Sequence, residues 1–199
     1  MAVETQSQIQ AQPLERLKRY RFTVTQYERL AAVGILTEDS RVELLEGEII
    51  VMPPIDSSHS GRINVLMACF TPFLGNSAIL TVQNPVRLND FSEPQPDLML
   101  LRFREDYYVK SHPTPDDVLI LIEISNTTLA YDRGVKLHYY ALAGIPEVWV
   151  IDLNAELIEQ YTRPENGAYG EIKKIGRGAS ISATLMPSVT LKADQILGY

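Results

Sequence analysis

The sequence has 199 residues, of which 45% are hydrophobic and 22% are charged, an ordinary balance for one globular domain with a full core. No apolar run approaches the ~18 residues of a membrane span, and the N-terminus lacks the apolar segment of a signal peptide, so we expect a cytoplasmic protein with no membrane partner. A formal net charge of −7 argues against a protein that coats nucleic acid, although an enzyme can approach DNA through a local basic patch and bound metal ions.

The first predicted elements are an arm and a short helix. Residues 1–20 are polar and rich in glutamine, so we predict a flexible or loosely packed arm there and a single domain over residues 21–199. The stretch TVTQYERLAAVG predicts a helix with a capping box of Thr25 and Glu28 at its start and with Gly34 at its end.

A hairpin and a second helix follow. Alternating apolar residues in RVELLEGEIIVMPP predict a β-hairpin that turns at Glu46-Gly47. In SSHSGRINVLMACFTPFLG, apolar residues such as Ile63 and Met67 are spaced by three or four positions, which predicts a helix with these side chains in the core. His59 falls in or near the first turn of that helix.

The second half of the chain alternates strands with one helix. Buried strands are predicted by the runs AILTVQNPVRL, PDLMLLRF, DVLILIEIS and PEVWVIDL, and the polar segment 102–117 predicts a loop or lid. The stretch AYDRGVKLHYYALAG predicts a helix whose apolar stripe includes Val135, Tyr139 and Leu142. Strand, helix and strand in this order form a βαβ unit with two parallel strands. With a further hairpin in the tail, the predicted fold class is α/β (α+β), a single domain with a mixed central β-sheet flanked by helices.

Two of the apolar strands each carry one carboxylate, Asp97 in PDLMLL and Glu123 in VLILIEIS. A lone carboxylate in such a strand is costly to desolvate unless something compensates it. Asp97 stands at the start of its run and Glu123 near the end of its own, so the two acids meet if the strands are antiparallel neighbours. Adjacent carboxylates repel unless a cation lies between them, and magnesium or manganese prefers oxygen ligands.

The helix after Glu123 offers a positively charged partner for these acids. Asp132 and Lys136 are four residues apart and share a helix face, and the long side chain of Lys136 could reach the two acids. A lysine there could orient water or stabilise charge during phosphodiester hydrolysis. The residues alone leave a plainer interpretation open, with solvated or arginine-paired strand acids and a surface ion pair on the helix.

Longer stretches of the sequence resemble a known nuclease family. The PD at Pro96-Asp97 and the EIS that begins at Glu123 resemble motifs of the PD-(D/E)xK nuclease superfamily. The runs RVELLEGEII, SSHS, QPDLML, VLILIEIS and YDRGVKLHYYALAGIPEVWVIDL resemble the Uma-two family of endonucleases, which is abundant in cyanobacteria, and the resemblance spans residues 22–197. It implies a restriction-endonuclease-like fold and a divalent-metal-dependent endonuclease that acts on DNA.

The resemblance also implies roles for individual residues. Asp97 and Glu123 match the metal ligands, with magnesium or manganese as the cofactor, and Glu43 resembles an additional N-terminal acid of the metal site. Ser125 stands where the superfamily has the lysine of (D/E)xK, and Lys136 on the following helix matches the position that substitutes for it.

Substrate contacts are expected at His59, which matches a family position and could contact a phosphate or water, and at Ser125. A homodimer is expected from the fold, because cutting both strands of DNA usually requires two active sites. Local basic residues could contact the DNA backbone: Arg62, Arg102, Arg104 and Lys110.

Other functions stay open at the level of sequence. The acidic pI of about 5.0 and the missing lysine of the ExK motif favour a catalytically silent nuclease-fold module that binds nucleic acid or a protein partner. A glycoside hydrolase could use the two acids without a metal. A serine hydrolase built on Ser125 lacks an obvious histidine and acid partnership, and Asp152 is expected to be a solvated acid at the end of its strand.

Overall fold

A computed structural model describes residues 18–126 and 128–198. Residues 1–17 of the predicted N-terminal arm, which spans residues 1–20, lie outside the described residues. No helix in the described ranges is long and apolar enough to cross a membrane.

A six-stranded mixed sheet with the order β3-β4-β5-β6-β7-β8 forms the centre of the fold. Strands β5 and β6 are parallel, and every other neighbouring pair in this sheet is antiparallel. The predicted βαβ crossover and the mixed α/β architecture are therefore confirmed. Its strands are β3 (Ala78–Val82), β4 (Leu98–Arg102), β5 (Val118–Ser125), β6 (Glu147–Asp152), β7 (Leu157–Glu165) and β8 (Ala168–Ile175).

Helices and two small hairpins cover the sheet. The hairpins are β1 (Val42–Leu45) with β2 (Glu48–Val51), and β9 (Ser180–Ser182) with β10 (Thr190–Lys192). The helices are α1 (Val24–Ala32), α2 (Ser57–Phe70), α3 (Leu129–Tyr131), α4 (Leu137–Ala143) and α5 (Ala193–Leu197), and a π-helical segment, Asp132–Lys136, joins α3 to α4.

Each face of the sheet has its own apolar core. On one face, helices α2 and α5 and the β9-β10 hairpin pack on the sheet through residues such as Phe70, Trp149 and Ile196. On the other face, α4 packs through Leu137 and Tyr140 against a separate cluster of strand residues. Every residue of β5 is buried, so a charged side chain on this strand must find its partners inside the protein.

The β1-β2 hairpin forms as predicted and turns at Glu46 and Gly47, which both have positive φ, 52° and 80°. This backbone matches the twist of a two-residue hairpin loop. A Cβ atom at Gly47 would lie 2.6 Å from the Cβ of Arg21, so glycine is required by both its conformation and its surroundings.

The first two helices differ from the prediction in detail. The capping box of α1 is formed by Thr23 and Gln26, because the helix begins at Val24, earlier than the predicted Thr25 and Glu28 box requires. In α2, Leu66 is buried and Met67 is 39% exposed, so the predicted inward position of Met67 is wrong by one residue.

The helical segment after β5 buries a different set of side chains from the apolar stripe that the sequence predicts. Leu142 of the predicted stripe is 56% exposed, whereas Asp132, Lys136 and Tyr140 are buried. The π-helical segment widens the helix beyond the 3.6-residue period on which the predicted stripe depends. The face that meets the sheet is therefore partly polar.

Candidate active site

Asp97 and Glu123 meet at one edge of the central sheet. Strands β4 and β5 run antiparallel with Leu98 opposite Ile122, so the start of β4 lies beside the end of β5. The backbone N–H of Ile124 donates to Oδ2 of Asp97 at 2.8 Å, which ties the first acid to the strand that carries the second. The proximity expected from the sequence pattern is confirmed.

Lys136 lies between two acids. Its Nζ is 3.1 Å from Oε1 of Glu123 and 3.2 Å from Oε2 of Glu43, and the side chains of all three residues are buried. The π-helical segment supplies the lysine from one side, and β1 supplies Glu43 from the other. The structure thus brings together Glu43, Asp97, Glu123 and Lys136, which we call the acid–lysine cluster.

Two tyrosines hold the carboxylates of the acid–lysine cluster. The hydroxyl of Tyr140 donates to Oε1 of Glu123 at 2.6 Å, and that of Tyr131 donates to Oε1 of Glu43 at 3.1 Å. The backbone N–H of Gln95 donates to Oε2 of Glu43 at 3.0 Å, so both oxygens of Glu43 have partners. In this geometry Glu43 forms an ion pair with Lys136, and its role as a metal ligand stays a prediction.

The charges of the cluster depend on one another. Burial raises the pKa of Glu123 to about 8, and Lys136 opposes that increase. Burial acts in the opposite sense on Lys136, yet the surrounding carboxylates, Glu123 first and then Glu43, raise its pKa above the ordinary value. Lys136 is therefore a protonated cation that balances the charge of its two acid neighbours.

His59 is the partner of Asp97. Nε2 of His59 lies 2.7 Å from Oδ1 of Asp97, and the backbone N–H of His59 donates to the side chain of Asp56, the N-cap of α2. The hydrogen bond to Asp97 raises the pKa of His59 above its ordinary value, although partial burial opposes the increase. The start of α2 therefore fixes an imidazole against the first acid, and its contact with substrate stays a prediction.

Ser125 is used inside the protein. It is fully buried, and its hydroxyl donates to Oδ2 of Asp132 at 2.7 Å. Thr128 donates to the same oxygen at 2.6 Å, and burial raises the pKa of Asp132. The predicted direct contact of Ser125 with substrate does not fit this position, because the hydroxyl faces Asp132 and not solvent.

The acid–lysine cluster forms part of the wall of a cleft of about 1140 Å³, which is also lined by α1 and the β1-β2 hairpin. The basic residues proposed from the sequence do not line this cleft. Three of them donate to other parts of the protein: Arg62 to the carbonyl of Ile196, Arg102 to the carbonyl of Asp116, and Arg104 to the carboxylate of Asp106.

Arginine enters the cleft at a position that the sequence analysis missed. Arg41, directly before β1, lines the cleft together with Glu93 and Tyr27. Strand alternation in RVELLEGEII could not have placed this side chain, because Arg41 lies before β1 with its backbone in the left-handed region. The roles of Tyr131 and Tyr140 left no trace in the sequence either, because their partners are distant in sequence.

Asp152 also differs from its prediction. It is 3% exposed, pairs with Arg133 at 3.0 Å, and accepts hydrogen bonds from the backbone of Asn154 and Ala155. The acid that was expected to be solvated is thus a turn-capping group with a fixed cation partner.

The carboxylate oxygens of the cluster are the kind of ligand that magnesium prefers. Among residues 18–126 and 128–198, no group of three or more His, Cys, Asp and Glu side chains is arranged to hold a metal ion. Magnesium, however, is commonly held by one or two carboxylates, with water and substrate phosphate completing its shell. Asp97 and Glu123 line the cleft, and their role as magnesium ligands stays a prediction.

Comparison with known proteins agrees with this architecture. A crystal structure described as a putative nuclease belonging to DUF820 from Anabaena variabilis has a TM-score of 0.69, with 16% sequence identity, over 88% of this chain and 97% of that chain. That similarity shows that the two proteins share the mixed α/β fold, and no curated protein matches the sequence. The family model described as Uma2, putative restriction endonuclease, matches residues 24–194, and the chain therefore belongs to the Uma2 family.

Proposed function

We propose that the protein is a divalent-metal-dependent endonuclease that hydrolyses phosphodiester bonds of DNA. The observation that carries the proposal is the position of Lys136, 3.1 Å from Glu123 at the edge where Asp97 also lies, in the wall of a large cleft. Membership of the Uma2 family supports the same reaction class.

Asp97 and Glu123, which both line the cleft, would hold the metal through carboxylate oxygens. A bound magnesium or manganese ion supplies Lewis acidity toward a phosphate oxygen and makes water a better nucleophile at neutral pH. Glu43 pairs with the ammonium of Lys136 at 3.2 Å and so helps to keep the lysine beside Glu123.

Lys136 acts in this proposal as a fixed positive charge beside the phosphate. The ammonium stabilises negative charge that develops on the phosphate oxygens, and its burial makes that interaction stronger than it would be in water. His59 holds the orientation of Asp97 through the 2.7 Å hydrogen bond. Cutting both strands would require two such sites, which a homodimer would supply and sedimentation velocity with and without DNA would detect.

Cleavage of supercoiled plasmid DNA tests the proposal. Purified protein is incubated with magnesium or manganese, beside an EDTA control and the variants Asp97→Asn, Glu123→Gln and Lys136→Met. We expect nicked or linear plasmid only with the metal, and a loss of rate of at least about a hundredfold in each variant, as found when a group that stabilises charge in the transition state is removed.

Asp152→Asn is the matched control. Asp152 is also a buried acid at a strand end, but it pairs with Arg133 and does not line the cleft. We expect this variant to cleave at the wild-type rate. Folded protein that cleaves no DNA in either metal, on substrates of diverse sequence, would contradict the proposal and favour the silent binding module.

A further inference from the structure

Arg41 occupies an unusual place in the cleft. It follows a short 3₁₀ turn, Glu38–Ser40, and precedes β1, with φ 41° and ψ 67° in the left-handed region. Its backbone carbonyl accepts from the N–H of Met52 at 2.8 Å, so the end of the hairpin holds this conformation. A non-glycine residue in the left-handed region is strained, and such residues concentrate at functional sites.

The guanidinium of Arg41 carries a donor with no acceptor among the side chains that the structure describes. This donor is Nε, which is buried and makes no hydrogen bond. Arginine side chains that are partly buried usually donate to carboxylate, phosphate or carbonyl oxygens. Arg41 lines the same cleft as the acid–lysine cluster, and its Nε has no partner among the described side chains.

In the proposed function, Lys136 acts at the phosphate that reacts, where Glu43 and Glu123 hold it in place. Arg41 is the arginine that lines the cleft among the described residues. A phosphodiester that enters this cleft therefore meets Arg41 as well as the acids of the cluster. The planar guanidinium matches the geometry of two phosphate oxygens.

We propose that Arg41 binds a backbone phosphate of the nucleic acid in the cleft and so sets the position of the strand relative to the acid–lysine cluster. This assignment rests on the proposed function, because it takes a polynucleotide as the ligand. Arg41 is a positioning residue in this proposal, and it contacts a phosphate next to the one that reacts.

Fluorescence anisotropy with a short labelled DNA duplex tests the assignment by binding alone. Titrations are carried out in calcium, a hard cation that occupies carboxylate sites, between about 50 mM and about 200 mM salt, with a gel to show that the DNA stays intact. We expect Arg41→Gln to weaken binding about tenfold and to reduce the slope of log K against log salt by about 0.9, the contribution of one phosphate contact.

Arg163→Gln is the matched control. Arg163 is an exposed arginine with φ 63° on β7, and it does not line the cleft, so it shares the residue type and the strained backbone but not the position. We expect its affinity and salt slope to equal those of the wild type. Thermal melting of both variants verifies that each is folded.

The outcomes separate this inference from the proposed function. Equal affinity and equal salt slope for Arg41→Gln and wild type would overturn the role of Arg41, even if the protein cleaves plasmid. Binding that depends on Arg41, in a protein that cleaves no DNA, would support the phosphate contact and contradict the endonuclease. Wild-type protein that binds no DNA in calcium or magnesium would overturn both.

Discussion

Lys136 is a cation enclosed by protein, and its charge is balanced by Glu43 and Glu123. Buried ion pairs of this kind add little net stability compared with apolar residues, but removal of one partner leaves an uncompensated charge. The cluster is consequently better explained by function than by stability. The same pairing predicts how much the free energy of unfolding falls when the lysine is removed.

We predict that Lys136→Met lowers the free energy of unfolding by about 3–5 kcal/mol at pH 8, because the buried acids lose their cation and must either stay uncompensated or take up a proton. The loss should be smaller at pH 5, where the acids can take up protons. Urea denaturation at both pH values measures the effect. Adding Glu43→Gln and Glu123→Gln should restore most of the stability, and a loss below about 1 kcal/mol at pH 8 would show that the acids do not depend on Lys136.

Glu93 is a further buried acid in the cleft wall, and its Oε2 has no hydrogen-bond partner in the described residues. Burial first and then Glu28 raise its pKa from 4.5 to about 7, although Arg87 opposes the increase. Folding therefore favours the protonated carboxyl. Its favourable contribution is complete below the unfolded pKa near 4.5 and is lost as the pH rises through about 7.

We predict that Glu93→Gln removes this pH dependence. Between about pH 5 and about pH 8, the wild type should lose about 2 kcal/mol of stability relative to the variant, whose amide does not titrate. Parallel urea denaturation across that range gives the difference directly. A constant difference between the two proteins at every pH would contradict a raised pKa of Glu93.

At the scale of elements, the hairpin and the helix after β5 place two glycines in contrasting surroundings. Gly47 has φ 80° and lies against Arg21, whereas a Cβ atom at Gly134 in the π-helical segment would meet no heavy atom within 4 Å. The same substitution should therefore have opposite effects at these two positions.

We predict that Gly47→Ala destabilises the protein by at least about 1 kcal/mol, since alanine is strained at positive φ and its Cβ meets Arg21. Gly134→Ala should stabilise it by about 0.5–1 kcal/mol, because alanine loses less backbone entropy in a helix. Thermal and urea unfolding of the two variants measure both signs. Destabilisation by Gly134→Ala would mean that the π-helical segment requires the flexibility of glycine.

Elements whose causes are local could be predicted from the sequence. The Glu46-Gly47 turn, the paired strands that carry Asp97 and Glu123, and the parallel crossover all follow from short patterns of apolar and turn residues. The π-helical segment could not be predicted, because it is set by polar contacts of Asp132 with residues outside the helix. A period of 3.6 residues therefore placed the wrong face of that helix inward.

The charged residues of the candidate site could be predicted from the sequence, and their hydrogen-bond partners could not. Its acids and its lysine stand out because charged side chains interrupt apolar strands and a helix face. The hydroxyl donors Tyr131 and Tyr140 were not predictable, because aromatic residues in a helix usually indicate core packing. The burial of Asp152 likewise depends on Arg133, whose reach across the fold no sequence pattern shows.

At the scale of the whole molecule, the charge distribution limits how DNA can bind. The net charge is −7, and among the described residues the arginine and lysine side chains that line the cleft are Arg41 and Lys136, of which Lys136 is paired with acids. Proteins that bind DNA mainly through phosphate contacts instead release many counterions, and their affinity falls steeply with salt. This protein should differ from them in a measurable way.

We predict a shallow salt dependence for DNA binding in calcium, with a slope of log K against log salt between about −1 and about −2, because few phosphates are neutralised by basic side chains of the cleft. Omission of calcium should weaken binding, since the acids of the cluster then repel the phosphates. Anisotropy titrations over a range of salt concentrations, with and without calcium, measure both effects. A slope steeper than about −5 would mean that the DNA binds on a basic surface outside the cleft, and affinity that is unchanged without calcium would separate DNA binding from the acids altogether.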